Sequence, residues 1–366
     1  MKNSSEKKLK IVTIIGARPQ FIKAAAVSRL LRDEADEIIM HTGQHYDENL
    51  SKVFFDELDI PTPQFNLGVG SGTHGVQTGE MLAKIETVLI DTQPDWVFVY
   101  GDTNSTLAGA LAAAKLHIKV AHVEAGLRSF NRRMPEEINR ILTDHISDTL
   151  FCPSEVAVEN LANEGITEKV VIVGDVMADS LSYAAEKAEM NSGILESLNL
   201  EPGQYYLATV HRAENTDDPL RLENILDALT SLDEKVVFPI HPRTRLAIKN
   251  YRYQHYLTAS NIELIDPLGY LDMVRLEASA RMILTDSGGI QKEAYWLRVP
   301  CITLRDETEW VETVQSGWNV LAGGDKEIIL EKVLNFEIPE NHPELYGDGK
   351  AARKIVDCLI QSLLSS

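Results

Sequence analysis

The chain has 366 residues, 44% of them hydrophobic and 25% charged, which suits about two globular domains at ~100–200 residues each and excludes wholesale disorder. Its 55 acidic residues against 35 Lys and Arg leave a net charge of −20. That balance argues against sequence-independent nucleic-acid binding, which needs cations to neutralise phosphates, so any anionic ligand must be held by local groups. No apolar run approaches the ~20 residues that cross a bilayer, and the polar start lacks an apolar signal core, so a cytoplasmic chain without membrane contact is expected. Cys152, Cys301 and Cys358 are odd in number and lack CxxC spacing, which indicates neither a disulfide framework nor a zinc site.

Along the first half, β-branched runs at 10–15, 37–41, 96–100, 120–123, 149–151 and 170–173 alternate with amphipathic stretches at 22–31, 107–115, 137–147 and 157–163. This is the pattern of repeated βαβ units around a parallel sheet. In such sheets ligands bind beyond the carboxyl ends of the strands, and the unusual residues cluster there. Arg18 ends the first strand and Lys23 lies one turn into the following helix, where cations are unfavourable unless an anion is present. Asp102 follows the strand ending at Tyr100, and by itself reads equally as a helix N-cap. Glu124 follows a short apolar strand, where a buried acid needs a partner or a ligand. Pro135-Glu136-Glu137 starts a helix, so one of the two acids is expected to be structural, and Arg140 sits at i,i+4 from Glu136. Together Asp102, Glu124 and Glu136 form a candidate acid–base set, tuned by burial and mutual repulsion.

The stretch 179–204, a helix followed by the turn-forming Asn191, Gly193, Pro202 and Gly203, reads as the connector between an N-terminal domain (1–178) and a C-terminal one (205–366). The second set has strands at 206–210, 236–239, 262–265, 282–285 and 301–304, and helices at 220–232, 271–280 and 290–297. The amphipathic helix at 351–364 can pack back on the N-terminal domain. Ser287-Gly288-Gly289 joins strand to helix through small residues that let backbone N–H groups approach a phosphate. Glu293, one turn on, is placed to accept from ribose hydroxyls. His211, beside Arg212 at a strand end, is a candidate phosphate contact or proton donor, whereas His241 reads equally as a structural residue or a binding one. The fold class is therefore α/β, with two doubly wound Rossmann-like domains and a ligand cleft between them.

Seven segments, 16–23, 42–45, 101–105, 122–128, 135–140, 211–215 and 286–293, together resemble the non-hydrolysing UDP-N-acetylglucosamine 2-epimerases over essentially the whole chain. The resemblance implies a glycosyltransferase-B-like pair of Rossmann domains and interconversion of UDP-N-acetylglucosamine and UDP-N-acetylmannosamine, through loss and re-addition of UDP, for cell-surface polysaccharide precursors. By motif position it implies that Asp102, Glu124, Glu136 and His211 are catalytic. Arg18, Lys23, Arg140, Ser287, Gly288, Gly289 and Glu293 match the family's UDP contacts, and His241 is grouped with them. Gln44, His45 and His74 match or flank a region tied to substrate activation. A homodimer is implied, and no metal or cofactor: the sequence has no metal-ligand spacing and no GxGxxG after a strand. The segment 304–312 and the Gly-rich run 70–75 depart from the commonest bacterial members and resemble a subgroup that includes UDP-2,3-diacetamido-2,3-dideoxyglucuronate 2-epimerases. A UDP-sugar glycosyltransferase on the same fold would use Glu293 and the Ser-Gly-Gly turn identically, but the carboxylate set favours proton chemistry.

Overall fold

The computed structural model describes residues 8–44 and 57–364. The chain divides into two compact units, one running to Tyr183 and resuming at Tyr346, the other spanning Ala184–Leu345. In the first, seven strands form one parallel sheet: β1 (Lys10–Ile15), β2 (Asp36–His41), β3 (Phe65–Asn66), β4 (Trp96–Tyr100), β5 (Lys119–Val123), β6 (Thr149–Cys152) and β7 (Val170–Ile172). Their order is β3-β2-β1-β4-β5-β6-β7. In the second unit, β8 (Tyr205–Thr209), β9 (Lys235–Pro239), β10 (Ile262–Ile265), β11 (Met282–Thr285), β12 (Cys301–Thr303) and β13 (Asn319–Leu321) take the order β10-β9-β8-β11-β12-β13. Both sheets are doubly wound, and their order reverses between β1 and β4 and between β8 and β11. The central strands WVFVY and YYLAT are buried at every position, as a parallel sheet covered by helices on both faces requires.

The structure adds detail to the sequence expectations and departs from some of them. His74, expected in a loop, opens a 19-residue helix, His74–Thr92. Gly70, Gly72, Gly75 and Gly79 mask that helix in the sequence, yet Gln77, Met81, Ile85 and Leu89 recur every four residues and bury one face. Strands β3 and β13, two and three residues long, carry too little pattern to be seen. In 179–204 the expected helix is Val176–Asn191, which begins before residue 179, and Leu195 beyond it joins the second core with Tyr205, Leu207 and Leu276. The last helix, Ala351–Leu364, for which packing on the N-terminal domain was one expectation, belongs to the first unit, where Asp179 accepts from the backbone N–H groups of Ala351 (3.1 Å) and Ala352 (3.0 Å) and caps its start.

One glycine fixes the turn after β5. Gly126 has φ +80°, and a Cβ there would lie 2.4 Å from the Ala157 carbonyl oxygen. Gly126→Ala combines left-handed strain with a backbone clash, and should cost about 2 kcal/mol or more in urea unfolding; an unchanged midpoint would show that the turn can relax.

Candidate active site

In the first unit, the residues at the carboxyl ends of β1, β4 and β5 converge. Lys23, in the helix Arg18–Glu34, forms an ion pair with Glu124, and both side chains are largely buried. Burial opposes the ammonium charge, but the Glu124 carboxylate outweighs it, with Asp175 and Asp102 adding, so the Lys23 pKa is raised. Glu124 itself has φ +72°, a left-handed conformation that costs a side chain about 1–2 kcal/mol. The neighbouring backbone is built around this pair: a Cβ on Gly101 (φ +63°) would sit 3.0 Å from Glu124 Oε2 and 3.3 Å from Lys23 Nζ.

Asp102 lies one residue beyond Gly101 and is paired with Arg140. The i,i+4 pairing of Glu136 with Arg140 expected from spacing is replaced: Arg140 bridges Asp102 and Glu137, whose Oε2 it meets at 2.8 Å. Glu137 is the structural acid of its pair. It is 1% exposed and accepts from Ser129 N, Ser129 Oγ and Phe130 N, each at 2.9 Å, which folds the loop after β5 against the helix Pro135–Ile146. Burial would raise its carboxyl pKa, yet these donors and Arg140 hold it below the usual range. Glu136 is exposed and has no ion pair or hydrogen bond among the described residues. Asp102 and Glu124 thus each sit beside a cation, rather than being tuned by repulsion among carboxylates alone.

Behind these loops His122, fully buried, meets Asp144 Oδ1 through Nδ1 (2.7 Å) and the Gly101 carbonyl through Nε2 (2.7 Å). Asp144 also accepts from Gly126 N (3.1 Å) and Arg128 Nη1 (2.7 Å), and these partners outweigh burial and depress its pKa. Gln44 and His74 attach to the first turn of the helix Asn104–Lys115. Gln44 Oε1 accepts from Ser105 N (3.1 Å) and Oγ (2.7 Å), and His74 Nδ1 lies 3.2 Å from Asn104 Nδ2. Asn139 ties this turn to the Asp102 carbonyl at 2.9 Å. His45 lies outside the described residues, as does the side chain of Arg18.

In the second unit Ser287 caps the helix Gly288–Trp296, which opens on Gly288 and Gly289. A Cβ on Gly288 would lie 3.4 Å from Trp310 Nε1, 3.6 Å from Arg212 Nη2 and 3.6 Å from Glu309 Oε2. The helix start is therefore bare backbone with two donors beside it, Trp310 Nε1 and Arg212 Nη2, and one carboxylate, Glu309; the free N–H groups and the two donors suit a phosphate. Glu293 lies in the same helix within 3.3 Å of the Tyr270 hydroxyl. His211 and His241 face each other with ring centroids 5.4 Å apart, and His211 contacts Asp286. Asp286, fully buried, was not among the candidate residues; its signal in the sequence is an acid directly after an apolar strand.

Glu277, in the helix Tyr270–Ser279, is also fully buried, and its Oε2 has no hydrogen-bond partner. Burial, followed by the charge of Glu293, pushes its carboxyl well above the usual range. A carboxyl raised in the folded state contributes fully below its unfolded value near 4.3, and that contribution is lost as pH rises. The Tm of Glu277→Gln relative to the parent should therefore climb between pH 5 and pH 8 in thermal unfolding; a pH-independent difference would contradict a protonated Glu277.

Among the described residues no group of three or more His, Cys, Asp or Glu could hold a metal ion, and no helix is long and apolar enough to cross a membrane.

Comparison with known proteins adds an independent line. The sequence model of the UDP-N-acetylglucosamine 2-epimerase family matches residues 29–360. The chain is similar to a Methanococcus maripaludis protein named UDP-N-acetylglucosamine 2-epimerase homolog, with 58% identity over 96% of this chain and 99% of that one. It is also similar to the Pseudomonas aeruginosa UDP-2,3-diacetamido-2,3-dideoxy-D-glucuronate 2-epimerase, with 50% identity over 96% and 99%. Among solved structures, the Methanocaldococcus jannaschii UDP-GlcNAc 2-epimerase in complex with UDP-GlcNAc and UDP matches with a TM-score of 0.81 and 47% identity, over 96% of this chain and all of that one.

Proposed function

The chain belongs to the UDP-N-acetylglucosamine 2-epimerase family, and on that premise we propose that it interconverts UDP-N-acetylglucosamine and UDP-N-acetylmannosamine without hydrolysis. The observation that carries this reading is the cluster at the ends of β4 and β5, where two carboxylates, Asp102 and Glu124, each sit beside a cation. The sugar C2 proton has no adjacent carbonyl to acidify it, so its removal needs a leaving group at C1. A base takes that proton, the C1–O bond breaks with its electron pair passing to UDP, and a C1–C2 double bond remains as 2-acetamidoglucal. Protonation of C2 from the opposite face and return of the UDP oxygen to C1 complete the inversion. Both faces need proton transfer, hence more than one acid–base group.

The roles divide by unit. Ser287, Gly288, Gly289 and Glu293 take UDP, with His211 and His241 at the diphosphate, while Asp102, Glu124 and Glu136 serve the sugar. Lys23, Arg140 and Arg18 complete the anion contacts. In the ligand-free chain Lys23 and Arg140 neutralise Glu124 and Asp102. Glu136, exposed and without such a partner, is available to carry the second proton.

A cytoplasmic homodimer supplying cell-surface polysaccharide precursors belongs to the same reading. The dimer is supported by an apolar stripe on the helix Pro135–Ile146 and the loop before it: Met134, Ile138 and Leu142, spaced one turn apart, are 39%, 39% and 46% exposed, and Phe130 is 79% exposed. A second reading, the diacetamido-uronate substrate, is supported by the P. aeruginosa relative.

Proton NMR of UDP-N-acetylglucosamine in D₂O should show deuterium at C2 with a UDP-linked manno product. The same result with only the diacetamido-uronate would transfer the assignment to that substrate, and exchange with neither would overturn both readings. Asp102→Asn and Glu136→Gln should each slow exchange by about 10²–10⁴-fold with UDP affinity changed only a few-fold; a variant that mainly loses UDP binding would contradict its assigned role.

A further inference from the structure

We propose that Asp286 is a positioning residue that holds His211 with its proton on Nδ1, so that Nε2 is the atom left for the ligand, while the adjacent His241 is locked in the opposite tautomer. The proposal rests on the reading of His211 as a ligand-facing group.

Asp286 is fully buried at the end of β11, and its oxygens are crowded with donors. Oδ1 and Oδ2 accept from His211 N (3.0 and 2.9 Å), and Oδ2 also accepts from Arg212 N (2.9 Å) and Asn215 Nδ2 (2.9 Å). His211 Nδ1 adds a further contact at 3.1 Å. Burial alone would raise this carboxyl pKa, but His211 and the backbone N–H groups of Arg212 and His211 outweigh burial and hold it below the usual range. It is therefore an ionised acceptor, and the imidazole nitrogen that meets it must bring the proton. The His211 side chain is 36% exposed, enough for its other nitrogen to reach a ligand.

His241 is fixed the other way. Its Nδ1 accepts from the backbone N–H of Arg243 at 3.2 Å, and a backbone N–H can only donate, so the proton of this ring is on Nε2. Burial first, then the charges of His211 and Arg243, lower its pKa below the ordinary histidine value, opposed only by Asp286. The charged groups facing the two rings are thus Asp286 after β11, Arg212 on the turn of His211, and Arg243 on the helix Pro242–Tyr251.

The two imidazoles, tilted at 40° to each other, consequently differ in what they can do. His241 is a neutral, fixed donor through Nε2. His211 meets the Asp286 carboxylate through Nδ1, which leaves its Nε2 to face a ligand as an acceptor. A carboxylate is not required merely to cap the turn, since an amide oxygen would also accept from the His211 and Arg212 backbone. Asparagine at 286, however, would turn its NH₂ toward Nδ1–H and favour the wrong tautomer.

The first test is long-range ¹H–¹⁵N NMR of the ligand-free parent at pH 8, with His211 assigned from the signal lost in His211→Gln. His211 protonated at Nδ1 and His241 at Nε2 are expected; His211 protonated at Nε2 would overturn the proposal without any variant at 286. Asp286→Asn should move the His211 proton to Nε2, lower kcat about 100-fold or more, shift the acid limb of the kcat profile and leave KM within a few-fold. An unchanged tautomer and pH profile, with only a lower Tm, would reduce Asp286 to a cap and overturn the proposal. If His211→Gln retained full epimerase activity, the role of His211 in the functional reading would fail, an outcome separate from the tautomer result.

Discussion

A carboxylate removed from water needs several donors around it, and each unit arranges loops at its strand ends around one such group. In the first unit it is Asp144, which gathers His122, Arg128 and the Gly126 amide; in the second it is Asp286, which gathers His211, Arg212 and Asn215. Both acids engage a histidine at the end of a neighbouring strand, β5 or β8, so a histidine–carboxylate pair recurs in the two sheets. Removing either acid would leave several buried donors unsatisfied at once, which is why the loop geometry hangs on them. In the first unit the histidine stays buried and steadies Gly101 through its carbonyl, whereas in the second it reaches the surface.

The charge arrangement follows from the same constraint. A chain with a net charge of −20 has few cations to spare, and two of them, Lys23 and Arg140, are held in place by carboxylates. This pre-orders the cations at low entropic cost and keeps them from screening by solvent. Glu277 shows the complementary case, a buried acid whose Oε2 has no hydrogen-bond partner among the described residues and whose pKa is pushed up by burial and by the charge of Glu293.

How far the site was legible depends on the kind of signal. Asp102, Glu124 and Glu136 could be singled out because they follow apolar strands or open a helix, positions where an acid is conspicuous. The division of labour between Glu136 and Glu137 could only be stated as a choice, since adjacent helix residues point to different faces and the sequence does not say which face meets a loop. Arg140 shows the limit of local spacing. Its i,i+4 relation to Glu136 was visible, but Asp102, 38 residues away, and Glu137 are its partners. The helix His74–Thr92 was hidden by its glycines, and tertiary burial of Met81, Ile85 and Leu89 overrides their weak propensity.

The sequence by itself determined the alternation of strands and helices, the doubly wound class, and the strand-end motifs on which family membership rests, because periodicity and strand-end chemistry are local properties. Only the tertiary structure decided which acid pairs with which cation, which acids are buried scaffold, where the last helix docks, and which groups each histidine meets. Those outcomes depend on groups tens of residues apart being brought within about 3 Å of each other, a distance at which hydrogen-bond geometry selects one partner. Asp286 is the clearest instance: in the sequence it is one letter between a strand and a Ser-Gly-Gly turn, and in the fold it is the acceptor around which His211, Arg212 and Asn215 are arranged.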